Sequence, residues 1–172
     1  MAKKPVANPS DTETRATSEH APDLRLWLRT LACTNLIENH IRSCLRAEFG
    51  ITLPRFDLMA QLERSPQGLK MGELSKRMMV TGGNVTGITD QLVAEGIVVR
   101  EDSPNDRRAY IVKLTPHGRN SFRKMAEAHE KWVVELFGGM NETQRGQLYE
   151  LLALLKASAT AAAGKRQFPR RA

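Results

Sequence analysis

The chain has 172 residues, of which 41 % are hydrophobic, 26 % charged and 5 % aromatic, and its formal net charge is +7. That is room for one compact domain with arms. It is too apolar for wholesale disorder, too poor in aromatics for most β-sandwiches or barrels, and its two cysteines exclude a disulfide framework and point to the cytoplasm. The positive balance raises nucleic acid or an anionic membrane as partner, but no apolar run approaches the ~18 residues of a membrane span, and no apolar core follows Met1-Ala2-Lys3-Lys4-Pro5 as a secretory signal requires.

Residues 1–22 hold Pro5, Pro9 and Pro22 among polar residues and read as a disordered N-terminal arm. Asp23 is expected to cap a long helix running to about Glu48, with Leu24, Trp27, Leu28, Leu31, Ile37, Ile41, Leu45 and Phe49 on one side and Gly50 ending it. Pro54 begins a second helix at its first position, with Phe56, Leu58, Met59 and Leu62 as its apolar residues, and Ser65-Pro66-Gln67-Gly68 is a turn. A short helix over Met71–Met79, a break at Val80-Thr81-Gly82-Gly83 and a helix over about Asn84–Glu95 fit a helix-turn-helix.

Ile97–Arg100 and Ala109–Leu114 are β-branched runs on either side of the polar turn Asp102–Arg107, which predicts a β-hairpin with a charged tip, a wing. Thr115-Pro116 opens a helix of about twenty residues ending at Gly138-Gly139, with Phe122, Met125, Ala126, His129, Trp132, Val133 and Leu136 as one stripe. Asn141 and Gln144 form a capping box for a last helix that buries Leu148, Leu151, Leu152 and Leu155 and trails off over Ala159–Ala163. The fold class is mainly α with a small β-hairpin wing: a winged helix-turn-helix domain over 51–114 and a helical dimerisation region over 23–50 and 115–160. A basic tail spans 161–172.

In this order of elements the chain resembles the MarR family of bacterial transcription regulators. The resemblance covers about residues 24–157. It is carried by Asn84-Val85-Thr86-Gly87-Ile88-Thr89-Asp90-Gln91-Leu92, which looks like the family's recognition helix, and by Glu95-Gly96-Ile97-Val98-Val99-Arg100 at the start of the wing. Asp106-Arg107-Arg108 resembles the wing tip, and Leu114-Thr115-Pro116-His117-Gly118 the helix start that follows it. The resemblance implies a homodimer that binds a palindromic double-stranded operator, usually represses, and releases DNA when a small molecule binds.

On the recognition helix Val85, Ile88 and Leu92 fall on one side and must pack inward, leaving Gly83, Asn84, Thr86, Gly87, Asp90, Gln91 and Ala94 for the groove. Asn84 and Gln91 suit adenine edges, and the Thr86 methyl suits thymine. Gly87 and Gln91 stand where family members often carry a basic residue, so arginine–guanine readout by this helix is not expected. The missing side chain at Gly87 lets the backbone approach the duplex closely. Thr81 lies in the break before the helix. Lys70, Lys76, Arg77, Arg55 and Arg64 are phosphate candidates. By resemblance Arg108 enters the minor groove, Arg107 is second for that role, and Asp106 shapes the tip.

The apolar stripes of the first and last helices exceed what a small DNA-binding core covers, which points to a two-chain core with Leu24, Leu28, Leu148, Leu152 and Leu155 at the interface. By resemblance an effector pocket lies where the dimerisation helices meet the DNA-binding domain. Its candidate lining is Trp27, Leu31, Asn35, His40, Phe56, Met59, His129 and Trp132. Arg25, Arg29, Arg42 and Arg46 are available for a carboxylate or the phosphates of a coenzyme A thioester. The expected effector is an aromatic acid, a phenol or an aromatic CoA thioester.

Two alternatives stand beside this: a thiol-based oxidant sensor using Cys33 or Cys44, and an architectural DNA binder with no effector. Neither a phosphate loop nor a nucleophile elbow is present, no dense metal-ligand cluster is seen, and no enzyme activity or cofactor is expected. Lys165, Arg166, Arg170 and Arg171 supply four of the seven positive charges. Residues 50–119 carry ten basic and eight acidic side chains, so the winged part is only +2.

Overall fold

The computed structural model describes residues 21–78, 82–103 and 106–165. The elements run α1 (Pro22–Phe49), α2 (Leu53–Glu63), β1 (Leu69–Lys70), α3 (Met71–Met78), α4 (Gly82–Ala94), β2 (Val98–Ser103), β3 (Asp106–Leu114), α5 (Pro116–Leu136) and α6 (Glu142–Lys165). The chain divides into two compact units, Met1–Glu130 and Lys131–Ala172. No helix among the described residues is long and apolar enough to cross a membrane.

The first unit is built on the buried faces of its helices. α2 contributes Phe56, Leu58, Met59 and Leu62, the four residues its sequence pattern singles out. Leu45 and Ile41 of α1, Leu74 of α3, Val85 and Leu92 of α4, and Val98, Val112 and Leu114 of the sheet complete this core with Met125. Each fully buried aliphatic chain contributes about 1.5–3 kcal/mol relative to exposure.

Helix ends follow local chemistry with small corrections. α1 starts two residues earlier than expected: Ala21 is its N-cap, Pro22 opens the first turn, and Asp23 sits inside that turn, where its charge faces the positive helix end, rather than capping. Gly50 adopts a left-handed conformation, φ 66°, and its N–H donates to the Arg46 carbonyl while that of Ile51 donates to Leu45. This αL stop needs a residue without Cβ penalty. Thr52 is the N-cap of α2, which moves Pro54 to the second helical position. In the second unit the Asn141–Gln144 capping box forms as its sequence predicts, with reciprocal bonds of 3.0 and 2.9 Å. α6 does not trail off at Ala159 but continues to Lys165, as an alanine run favours.

The wing is a three-stranded antiparallel sheet of order β1-β3-β2 rather than a two-stranded hairpin. The added strand, Leu69–Lys70, pairs with Val112 and Ile111. Two residues are too short for a periodic signal. The β2–β3 pairing extends to Ser103↔Asp106, so Asp106 and Arg107, expected in the turn, belong to strand β3. Lys113 and Glu101 bridge the two strands at 2.6 Å, one cross-strand pair that lets polar residues join the ladder.

Thr115 ties the start of α5 to the turn that ends α4. The Thr115 hydroxyl donates to the Gly96 carbonyl (2.7 Å) and accepts from the Gly118 N–H (2.9 Å), capping α5. Gly118 is buried against the Ile97 carbonyl, where any Cβ would collide.

Within the first unit Phe56 stacks at a tilt on Phe122 and on His129, with ring centroids 5.4 and 5.0 Å away. Burial holds the His129 imidazole below its ordinary pKa of 6.5. The folded state therefore favours neutral His129. Its stabilising contribution is complete above pH 6.5 and is lost as pH falls through the lowered folded value. Replacing His129 by leucine is expected to flatten the fall in melting temperature on acidification below pH 6.5. An unchanged pH slope in a thermal melt series would remove His129 from that role.

Candidate nucleic-acid interface

α4 presents two opposite faces. Val85, Thr89 and Leu92 are buried and fix the helix to the domain. Gly82, Gly83, Asn84, Thr86, Gly87, Asp90, Gln91 and Ala94 are exposed. Thr89 was not legible as core: it is fully buried, and its hydroxyl donates to the Val85 carbonyl at 2.7 Å. That i−4 bond hides the polar group inside the helix, which is how threonine fills a core position. Ile88, expected in its place, is half-buried.

The exposed face carries mostly small and polar residues. The space where a Gly87 Cβ would stand is open, so the backbone there is accessible. The Thr86 hydroxyl donates to the Gly82 carbonyl (3.0 Å), leaving its methyl and its lone pairs for a partner. Asp90, the negative residue of this face, pairs with Arg100 of β2 at 2.5 Å. This ion pair joins α4 to the wing and neutralises the carboxylate of the exposed face. At the end of the helix Glu95 pairs with Arg55 of α2. Opposite charges on either side of the Gly96 turn were the available signal for the first pair; nothing in the spacing marked the second.

The other basic candidates divide by placement. Lys70, Lys76 and Arg64 are exposed. Arg77 is exposed but bonds Ser65 (3.0 Å) and Glu73 (3.4 Å). Arg55 is 15 % exposed and held by Glu95, so the sequence reading that offered it to phosphate is corrected: it faces inward. Asp106, Arg107 and Arg108 begin strand β3; their side chains, like Thr81, lie outside the described residues.

The expected pocket residues lie on α1, α2 and α5. Trp27, Asn35 and His40 are exposed on α1, Leu31 is half-buried, and Phe56 and Met59 are core. His129 joins Phe56, and Trp132 is half-buried in the second unit. Arg25, Arg29, Arg42 and Arg46 are exposed, and Arg42 pairs with Glu38 at 2.8 Å. The His40 Nε2 lies 3.5 Å from the Cys44 sulfur. Among the described residues no three metal-ligating side chains cluster. The first unit does hold a cavity of about 280 Å³, against the C-terminal end of α4, and of the expected residues only Met59 lines it.

α6 leaves its apolar residues uncovered. Leu151, Leu152, Leu154 and Leu155 are 63, 46, 68 and 41 % exposed, against the expectation that Leu151, Leu152 and Leu155 are buried. On α1 Leu24 and Trp27 are 40 and 57 % exposed. Patches of this kind mark interaction surfaces.

Comparison with known proteins agrees with this geometry. The sequence profile described as "MarR family" matches residues 49–109. The chain is similar to the solved MarR family transcriptional regulator from Silicibacter pomeroyi, at 33 % identity and TM-score 0.70, over 84 % of this chain and 99 % of that one. It is similar to Sco3205, a MarR family regulator from Streptomyces coelicolor solved in complex with DNA. That likeness has 25 % identity and TM-score 0.71, over 83 % of this chain and 91 % of that one. An HTH-type transcriptional regulator of Bacillus subtilis, YkoM, is 31 % identical over 61 % of this chain and 68 % of its own length.

Proposed function

This chain belongs to the MarR family, and is thus a DNA-binding transcription regulator; from that premise we propose that it is a homodimeric, ligand-responsive repressor of a palindromic operator. The observation that carries the reading is the exposed polar face of α4, with small residues at Gly83, Thr86 and Gly87, opposite the buried Val85–Thr89–Leu92 stripe. A helix of that kind enters a major groove closely, with Asn84 and Gln91 against base edges. Lys70, Lys76 and Arg77 contact phosphate and set the register without specifying sequence.

In this reading residues 51–114 bind DNA, and 23–50 with 115–160 dimerise through Leu24, Leu28, Leu148, Leu152 and Leu155. The uncovered leucines of α6 support the second half of it. The basic C-terminal tail, 161–172, is at most a non-specific tether, and the protein acts in the cytoplasm. Two-fold symmetry sets the recognition helices about 34 Å apart, one DNA turn.

Arg108 reaches the minor groove from the wing, where an arginine suits the narrow, electronegative groove of A·T-rich DNA. Arg107 is second for that role, and Asp106 holds the tip. Arg108→Ala is expected to weaken operator binding more than tenfold, about 1.4 kcal/mol. An unchanged affinity in a titration at fixed salt would take the wing arginine out of the interface.

The effector is an aromatic acid, a phenol or an aromatic CoA thioester. It prefers a dimer whose recognition helices are wrongly spaced, and a coupling of about 1–3 kcal/mol suffices for induction. A gel shift on the DNA upstream of the protein's own gene tests this, with aromatic acids, their CoA thioesters, peroxide and zinc added in parallel. Release by an aromatic acid or thioester supports the reading. Release by peroxide instead assigns control to thiol chemistry, for which Cys44 beside His40 is the candidate. Binding that no addition moves would leave an architectural role.

A further inference from the structure

We propose that Arg55 and Glu95 are a positioning pair for sequence reading: through them α2 holds the end of the recognition helix and sets the angle at which Asn84 and Gln91 meet a duplex. The inference rests on the reading of α4 as the groove helix and gives a role to two residues which that reading leaves outside the interface.

Neither residue is the one that local stability would choose. Glu95 directly follows Ala94, the last residue of α4. Its N–H donates to the Gln91 carbonyl (3.1 Å), and those of Gly96 and Ile97 donate to Val93 and Leu92 at 2.9 Å. These bonds close the helix and leave the Glu95 carboxylate at its negative end, where the helix dipole repels it. Arg55 is only 15 % exposed on α2, and its Nε is buried with no hydrogen-bond partner among the described residues. Burying a guanidinium in that state is unfavourable. Each charge is compensated by the other, for Arg55 Nη2 donates to the Glu95 carboxylate. A pair whose members are both locally unfavourable is the kind of conflict that functional geometry retains.

What the pair adds is direction. Val85, Thr89 and Leu92 bury one side of α4. Apolar burial is non-directional, so it holds the helix down without fixing its rotation or tilt. Ion pairs to two other elements do fix them: Asp90 is tied to Arg100 of β2, and Glu95 to Arg55 of α2. At 100° per residue Asp90 and Glu95 stand about 140° apart around the helix, and Gly87, Gln91 and Asn84 fall between them. The two anchors thus flank the face that meets base edges. α2 is a firm mount for the second, since its Phe56, Leu58, Met59 and Leu62 are all core.

The test uses the full-length protein, with Glu95→Gln alone and with Arg55→Met and Glu95→Gln together. Three quantities are measured for each: melting temperature, affinity for the duplex that the parent selects from a random pool, and affinity for an unrelated duplex at the same salt. Glu95→Gln strands the buried guanidinium and is expected to lower the melting temperature. The double variant is expected to melt at or above the parent, because removing both members of such a pair is neutral or stabilising. In both variants affinity for the selected duplex is expected to fall about tenfold or more, while affinity for the unrelated duplex stays unchanged. Stability and sequence reading thereby separate in the double variant. Recovery of melting temperature and of selected-duplex affinity together would reduce the pair to a structural role and overturn the proposal. Equal loss on both duplexes also overturns it, since that marks a contribution to phosphate binding. Should the double variant not fold, Glu95→Gln decides alone: selective loss on the selected duplex supports the role, and unchanged affinity overturns it. A parent that selects no consensus removes the groove reading of α4 and this role with it. A consensus bound equally by parent and variants removes only the role of the pair.

Discussion

Replacing Leu152 and Leu155 together by glutamate is expected to make the protein monomeric and to weaken operator binding at least a hundredfold, about 2.7 kcal/mol. The two side chains are 46 and 41 % exposed in the single chain, on a helix whose Leu151 and Leu154 are more exposed still. Burying such a leucine in a partner contributes about 1.5–3 kcal/mol, and a glutamate there would be an unpaired buried charge. The effect on DNA follows from symmetry rather than from contact. A palindrome rewards two recognition helices held at one spacing, and a monomer engages one half-site alone. Sedimentation together with an operator titration reads both quantities. A variant that stays dimeric, or a monomer that binds the palindrome as well as the parent does, would place the dimer interface or the mode of binding elsewhere.

The second large effect is at Gly118. Gly118→Ala is expected to cost about 3 kcal/mol and to lower the melting temperature by roughly 6–12 °C. A Cβ at this position would overlap the Ile97 carbonyl, and backbone on both sides leaves no flexible side chain to give way. The same displacement pulls the Gly118 N–H from the Thr115 hydroxyl and so undoes the cap of α5. Because Thr115 also binds the Gly96 carbonyl, the strain reaches the end of the recognition helix. A thermal melt decides it, and an alanine variant as stable as the parent would mean that this junction relaxes freely. Thr115-Pro116-His117-Gly118 is thus a motif with a mechanical reason: the threonine joins two elements and the glycine lets them touch.

Helices were legible where periodicity and end signals coincide. Phe56, Leu58, Met59 and Leu62 of α2, the Gly50 stop and the Asn141–Gln144 box were readable from type and spacing alone. What escaped depends on partners that residue type and spacing do not mark. β1 is two residues long and exists only because β3 pairs with it. Thr89 is polar by type and core by its bond to Val85. Arg55 read as a surface cation because its partner Glu95 lies forty residues on.

The interface was partly legible in the same way. Opposition of Val85 and Leu92 to Asn84, Thr86, Gly87 and Gln91 is a consequence of 100° per residue. Neutralisation of Asp90 by Arg100 requires the wing to fold back beside α4. An effector pocket is the least legible feature, because a set of residues spread over three helices, α1, α2 and α5, has no spacing rule. The cavity found against α4 shares Met59 with it and no other member.

Net charge sharpened the functional argument by failing as a guide. Four of the seven excess charges sit at Lys165, Arg166, Arg170 and Arg171, and α4 has no basic residue. In the proposed reading affinity for phosphate comes from Lys70, Lys76, Arg77 and the wing, and specificity from the exposed face of α4.

The central claim, a two-fold dimer reading DNA through that face, is tested most directly by selecting binding sites from a random duplex pool at fixed salt. The account predicts a palindrome whose half-sites lie about one helical turn apart, with A·T-rich flanks at the wings, and loss of its consensus when Asn84 and Gln91 are both alanine. Enrichment of no consensus, with affinity that only tracks salt, would contradict it.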